Sequence, residues 1–127
     1  MNLVDSSALI EYCMGTASGM RFASAVEDYP RLIVPSVVIY EATKRLRKLL
    51  GKDEADEIVA ELTTYATVIP LDAKLAISAA RVSAQHNLAM ADAIIYATTE
   101  AHAATLWTQD DHFKDLPNVR YFPKSAS

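Results

Sequence analysis

Leu32-Ile33-Val34-Pro35-Ser36-Val37-Val38-Ile39-Tyr40-Glu41 passes from a short apolar run, through a proline, into a segment of different period. Leu32 to Val34 reads as a buried strand, because a brief continuous apolar run bounded by turn residues suits a strand covered on both faces. Pro35 and Ser36 punctuate its end. From Ser36 to Leu50, Val38, Ala42, Leu46 and Leu49 follow a 3.6-residue period, which predicts a helix, and Gly51 supplies its C-terminal stop.

The same alternation recurs on both sides of that stretch. Leu3-Val4 is a short strand that stops at Asp5-Ser6-Ser7, and Ala8 to Tyr12 continues as a helix. Met20, Phe22, Ala23 and Val26 predict one short helix before Tyr29-Pro30. A helix over Asp53 to Thr64 precedes a strand at Thr67-Val68-Ile69, Asp72 caps an Ala-rich helix to Gln85, and Met90 to Ala103 forms another. Thr105 to Thr108 is a strand ending near Asp110, and Val119 to Phe122 is an edge strand before Pro123. Short strands separated by longer helices imply parallel connections, since these require a crossover element. The expected fold is a single α/β sandwich over residues 1–123, with a mainly parallel sheet flanked by helices and a short polar tail at 124–127.

The chain has 127 residues, about half of them apolar, the size of one domain with its own core. A net charge of −4 and a pI near 5.3 exclude a highly basic nucleic-acid-coating protein but leave room for a local basic face. Cys13 is the only cysteine, so there is no disulfide within the chain and no cysteine-based zinc cluster. With no basic or long apolar N-terminal segment, and no run of the ~20 residues a bilayer span needs, the expected location is the cytoplasm, not a membrane. Gly15, Gly19 and Gly51 match neither a Walker A loop nor a dinucleotide fingerprint.

Asp5, Glu41, Asp92 and Asp110 are far apart in sequence, yet each lies where a strand end or helix delivers it to one edge of the sheet. Each has an ordinary alternative. Asp5 can cap the first helix, Asp92 suits the dipole of a helix first turn, and Asp110 can cap or turn Asp110-Asp111-His112. Glu41 sits in a helix interior with Lys44, Arg45 and Lys48 on its side, so ion pairing can satisfy it. Their common destination is what these alternatives leave unexplained. Two carboxylates ~4 Å apart repel by about 4 kcal/mol at an effective dielectric of 20, so a cluster implies a cation or protons. Oxygen donors without cysteine or a histidine pair favour Mg²⁺, with Mn²⁺ a second choice. The run Lys44-Arg45-Leu46-Arg47-Lys48 is either a solvated face or a phosphate-binding one. Cys13, Trp107 and Tyr121 read as packing residues, and His86 and His102 as surface or packing histidines.

Four segments together resemble PIN-domain ribonucleases, and most closely VapC-type toxins of toxin-antitoxin pairs. They are Val4-Asp5-Ser6-Ser7-Ala8-Leu9-Ile10, Ser36 to Glu41, Leu88-Ala89-Met90-Ala91-Asp92-Ala93-Ile94-Ile95-Tyr96-Ala97, and Leu106-Trp107-Thr108-Gln109-Asp110-Asp111-His112-Phe113. The resemblance implies metal ligation and catalysis by Asp5, Glu41, Asp92 and Asp110, with Ser7 and Thr108 at the supporting hydroxyl positions. Many relatives carry a further acid two positions after the last aspartate, where this chain has His112, and Asp111 is an added carboxylate competing with Asp110. The implied activity is Mg²⁺-dependent hydrolysis of RNA to a 5′-phosphate and a 3′-hydroxyl, with Lys44, Arg45 and Lys48 contacting RNA. Implied partners are a VapB-like antitoxin and a second copy of the chain. Two other readings remain: a PIN nuclease of RNA maturation or decay, and a non-enzymatic metal-binding α/β interaction domain.

Overall fold

A computed structural model describes residues 1–124; of the tail expected at 124–127, residues 125–127 lie outside the described residues. The strands are β1 (Asn2–Val4), β2 (Leu32–Pro35), β3 (Thr67–Ile69), β4 (Thr105–Thr108) and β5 (Val119–Tyr121). They form one sheet in the order β3-β2-β1-β4-β5, and every neighbouring pair is parallel. Successive residues of a strand face opposite sides of the sheet. Leu32, Ile33 and Val34 are nevertheless all buried, as are Leu3, Val4, Leu106 and Trp107, so both faces of the central strands are covered.

The covering helices are α1 (Ser6–Cys13), α2 (Ala17–Met20), α3 (Ala23–Val26), α4 (Ser36–Leu50), α5 (Lys52–Tyr65), α6 (Ala73–His86) and α7 (Met90–Ala101). None is long and apolar enough to cross a membrane. Helix α4 starts directly at Ser36 after Pro35 and stops at Gly51, whose φ of +88° suits glycine. Its stripe buries Val38, Ala42 and Leu46. Leu49 departs from that expectation and is 41% exposed. It lies at an angle around the helix between those of Val38 and Ala42 but in the last turn of α4, where it lines an open groove instead of the core.

Two other segments differ from the reading of the sequence. The single helix expected near Met20 to Val26 is two, because Thr16 caps α2 through the Gly19 amide and Phe22 breaks the run with its own side chain fully buried. Helix α7 stops at Ala101 instead of Ala103, since Ala103 takes a left-handed φ of +48°.

Strand β1 is followed by β2 on one side of the sheet and has β4 on its other side. The chain therefore changes direction across the sheet between β1 and β4. In doubly wound sheets a crevice opens at the carboxyl ends of such a strand pair, and ligands bind there. Asp5 follows β1 and Gln109-Asp110 follows β4, placing both at that crevice.

Candidate metal centre

Asp5 turns the chain from β1 into α1. Its Oδ1 accepts the Ala8 amide at 3.0 Å, an N-cap, while Oδ2 accepts the Thr108 hydroxyl at 2.5 Å. Capping is thus part of its role, but a cap on a surface turn stays solvated, and Asp5 is only 3% exposed. Burial, reinforced by the nearby charges of Asp110 and Asp92, pushes its carboxyl up to about 6 against the opposing effect of the two hydrogen bonds. Thr108, also fully buried, links two acids: its oxygen donates to Asp5 and accepts the amide of Asp110 at 2.9 Å.

Asp92 lies in the first turn of α7, but its side chain caps nothing there. It meets His112 instead, with Oδ2 3.2 Å from Nδ1. The same nitrogen lies 3.2 Å from Oδ1 of Asp110, which also accepts the His112 amide at 2.9 Å. Burial raises the Asp92 pKa, and Asp110 and Glu41 add to the rise against the contribution of His112. The bond to Asp92 and the charge of Asp110 raise that of His112 in turn. The turn Asp111–Phe113 that carries the histidine is fixed by Phe113, buried and stacked on Tyr96 at 6.5 Å.

Glu41 reaches the crevice from the second turn of α4 and accepts the Ser6 hydroxyl at 2.5 Å through Oε1. Among the described residues it forms no ion pair with Lys44, Arg45 or Lys48, so that ordinary explanation for it is not realised. The structure therefore brings Asp5, Asp92 and Asp110 within electrostatic reach of one another, with Glu41 in reach of Asp92. Asp92, Asp110 and His112 can each offer one ligand atom, all within 4.8 Å of one another. Asp111 is exposed and outside that group.

Ser7 is placed differently from the expected carboxylate support: it is exposed, and its oxygen accepts from Gln109 Nε2 at 2.7 Å. The serine that holds a carboxylate is Ser6. Gln109 is itself buried, and its Oε1 has no hydrogen-bond partner among the described residues. His86 packs its ring against Tyr96 at 5.6 Å, and His102 ends α7; no hydrogen bond or ring contact joins two histidines among the described residues. Burial pushes the Cys13 thiol up to about 11, far from a reactive thiolate, and Trp107 is buried with its indole N–H donated to Asn2.

The PIN-domain family model matches residues 3–119. The chain belongs to the PIN-domain family. Members of this family are in general nucleases that depend on a divalent metal. No curated protein matches this PIN domain significantly by sequence. Among solved structures, a toxin-antitoxin complex from Klebsiella pneumoniae has a chain 20% identical, with 98% of this chain and 100% of that one covered at a TM-score of 0.80. A sarcin-ricin-loop-cleaving VapC toxin of Mycobacterium tuberculosis is 20% identical over 97% and 100% of the two chains, with a TM-score of 0.76. DNA-bound VapBC of Salmonella typhimurium is 15% identical over 96% of each chain, with a TM-score of 0.71. At such identities these likenesses establish a shared fold.

Asp92, Asp110 and His112 offer oxygen and imidazole donors close enough together for one divalent cation, with Asp5 near both aspartates and Glu41 near Asp92. Beside them opens a groove of about 820 Å³ between α1 and α4, lined among others by Ser6, Ser7, Tyr40, Glu41, Lys44 and Arg45. Ser6 and His112 were not singled out in the sequence as parts of the site. The departure at position 112 was the available signal, because a residue two after Asp110 in a tight turn returns to the aspartate it follows.

Proposed function

We propose that this chain is a Mg²⁺-dependent endoribonuclease and the toxin of a VapBC-type pair. The observation that carries the reading is Asp5, a carboxylate nine-tenths buried and raised to about 6, facing Asp92 and Asp110. Burying a carboxyl costs stability, the two neighbouring acids add to that cost, and a cation offsets both. Asp5, Asp92, Asp110 and Glu41 would hold Mg²⁺, with Mn²⁺ an alternative. When bound, such an ion polarises a phosphoryl oxygen and acidifies its water.

The protein's own groups supply orientation. Thr108 and the Ala8 amide fix the two oxygens of Asp5, so the carboxylate is set before a ligand arrives. Ser6 fixes Glu41 at one oxygen while the residue lines the groove, which places Glu41 to orient an attacking water and accept its proton. In-line attack on the phosphodiester then leaves a 5′-phosphate and a 3′-hydroxyl. Lys44, Arg45 and Lys48 line the same groove and receive the RNA backbone.

The test is cleavage of single-stranded RNA by the purified chain. Activity should require Mg²⁺ or Mn²⁺, vanish with chelator, and fall at least ~10³-fold in Asp92→Asn with circular dichroism unchanged. Cleavage that survives chelation and yields a 2′,3′-cyclic phosphate would reject the metal route, and a folded chain that cuts no RNA would leave an interaction domain.

An apolar groove of about 320 Å³, lined by Leu9, Tyr12, Cys13, Met20, Leu46 and Ile58 among others, suits the C-terminal segment of a VapB-like antitoxin. Leu71, Ile77 and Met90 are exposed, and Leu71 and Met90 line a second apolar patch against α6 and α7, which suits pairing with a second copy in the cytoplasm. Light scattering of the purified protein should give twice the 13.9 kDa of the chain. A monomer at micromolar concentration would reject the pairing.

A further inference from the structure

Tyr40 stands one residue before Glu41 on α4, and its ring lies outside the core. It is 57% exposed, stacks on no other ring among the described residues, and its hydroxyl has no hydrogen-bond partner there. Tyr65, exposed to a similar degree, is by contrast stacked on Tyr29 at 5.8 Å. Tyr40 lines the 820 Å³ groove together with Ser6, Ser7 and Glu41 at its acidic end. One helical turn further along α4, the Lys44 ammonium lies 5.9 Å from the ring centroid.

The rest of the groove wall states what it is built to receive. Lys44, Arg45 and Lys48 follow along α4, and none of the three is in an ion pair among the described residues. Arg47, three residues beyond Lys44 on the same helix, is by contrast clamped to Asp56 of α5 at 2.8 Å. Cations without a carboxylate partner beside an exposed ring that only Lys44 approaches match a ligand that has both phosphates and flat base faces. A duplex keeps its base faces stacked inside and cannot offer one to a side chain.

We propose that Tyr40 is a stacking platform for an unpaired base of the RNA strand beside the scissile phosphodiester. The inference rests on the ribonuclease reading. Strand entry runs along α4, with phosphates on Lys44 and Arg45 and the adjacent base on Tyr40. Tyr40 positions the strand and is separate from the carboxylates that act on it.

The experiment is fluorescence anisotropy of the full chain, without divalent metal so that nothing is cut, with a labelled 12-nucleotide RNA pool of random sequence. Tyr40→Ala should weaken binding by about 10-fold, within the range for loss of one stacked base, while leaving the dependence on salt unchanged. Tyr40→Phe should bind within about 2-fold of the unmodified chain, since it keeps the ring face. Lys44→Ala with Arg45→Ala should instead flatten the logarithmic salt slope by about 1.4, or 0.7 per phosphate lost.

Equal binding by Tyr40→Ala and the unmodified chain overturns the proposal, as does a Tyr40→Phe defect equal to that of Tyr40→Ala. If Tyr40→Ala weakens only capture of the antitoxin and not of RNA, the groove holds a peptide and the proposal fails. These results leave the ribonuclease reading intact, because that reading is tested apart from them by adding Mg²⁺ to the unmodified chain and following cleavage of the same pool. An unmodified chain that neither binds nor cuts the pool sinks both.

Discussion

Asp5→Asn should abolish RNA cleavage, by at least ~10³-fold, and at the same time make the metal-free protein more stable at pH 7.5. The second effect follows from the buried carboxyl. Its pKa is about 6 in the folded chain against an ordinary 3.8, so between those values the folded state holds a proton the unfolded state has released. Stability is then lost as pH rises through that window, and the full loss is present above about pH 7. A rise from 3.8 to about 6 corresponds to about 3 kcal/mol, an upper figure because the protein relaxes around the charge. Asparagine keeps the oxygen that caps the Ala8 amide, but Thr108 loses a charged acceptor, which offsets about 1 kcal/mol.

The net expectation is a gain of ~1–2 kcal/mol at pH 7.5 that shrinks to nothing or reverses below pH 4, read by urea denaturation of both proteins across that range. Mg²⁺ should reverse the order, since a cation that binds the folded unmodified chain stabilises it in proportion to occupancy, and the variant lacks that ligand. Two proteins with parallel stability profiles from pH 4 to 8 would show that Asp5 carries no such electrostatic penalty, and the case for a cation-binding cluster would lose its support.

Much of this site could be read from the chain because its members obey local rules and a topological one. Asp5 and Asp110 end strand candidates, Asp92 begins a helix, and all three keep positions that a capping or turn acid would take. A parallel sheet carries such positions to one edge, so their convergence followed from the alternation of elements alone. The even choice between Glu41 as ligand and Glu41 as ion-pair partner could not be settled that way. Residues three, four and seven apart share a helix side in any sequence, and only the fold shows that Ser6, from another element, holds the carboxylate. Ser6 and Ser7 point in different directions from adjacent positions, a distinction that depends on where α1 starts. His112 was hidden for a similar reason: the tight turn after Asp110, pinned by Phe113, folds its ring back between two acids. Leu49 followed the helical period and still ended exposed, because periodicity gives a direction but not the extent of the core in that direction.

Gly19→Ala should lower stability by ~2–4 kcal/mol, although the residue type alone argues for the opposite sign. In a helix interior alanine is favoured over glycine by about 1 kcal/mol, and Gly19 lies inside α2 with no left-handed φ to require it. The reason for the glycine is what lies above it. A Cβ at this position would sit 2.2 Å from both the carbonyl carbon and oxygen of Glu11 and 2.4 Å from the amide nitrogen of Tyr12. These are backbone atoms of α1, so no side chain can swing aside. One helix must move by close to an ångström to reach even 3.0 Å, the least that real Cβ contacts show.

That movement is resisted on every side. Thr16 ties the start of α2 to Glu11, Arg21 at its end donates to the Pro123 carbonyl at 2.7 Å, and Phe22 beyond it is fully buried against Phe122. Overpacking of this kind typically costs about 1–3 kcal/mol, and the loss of these ties adds to it. The denaturation midpoint should therefore fall clearly, while cleavage by the folded fraction changes little, because Asp5 is held by Thr108 and Ala8, away from α2. Capture of the antitoxin should suffer more than cleavage, since Met20 of α2 lines the apolar groove assigned to it. A variant as stable as the unmodified chain, or more so, would mean that α1 and α2 are not packed backbone to backbone at Gly19.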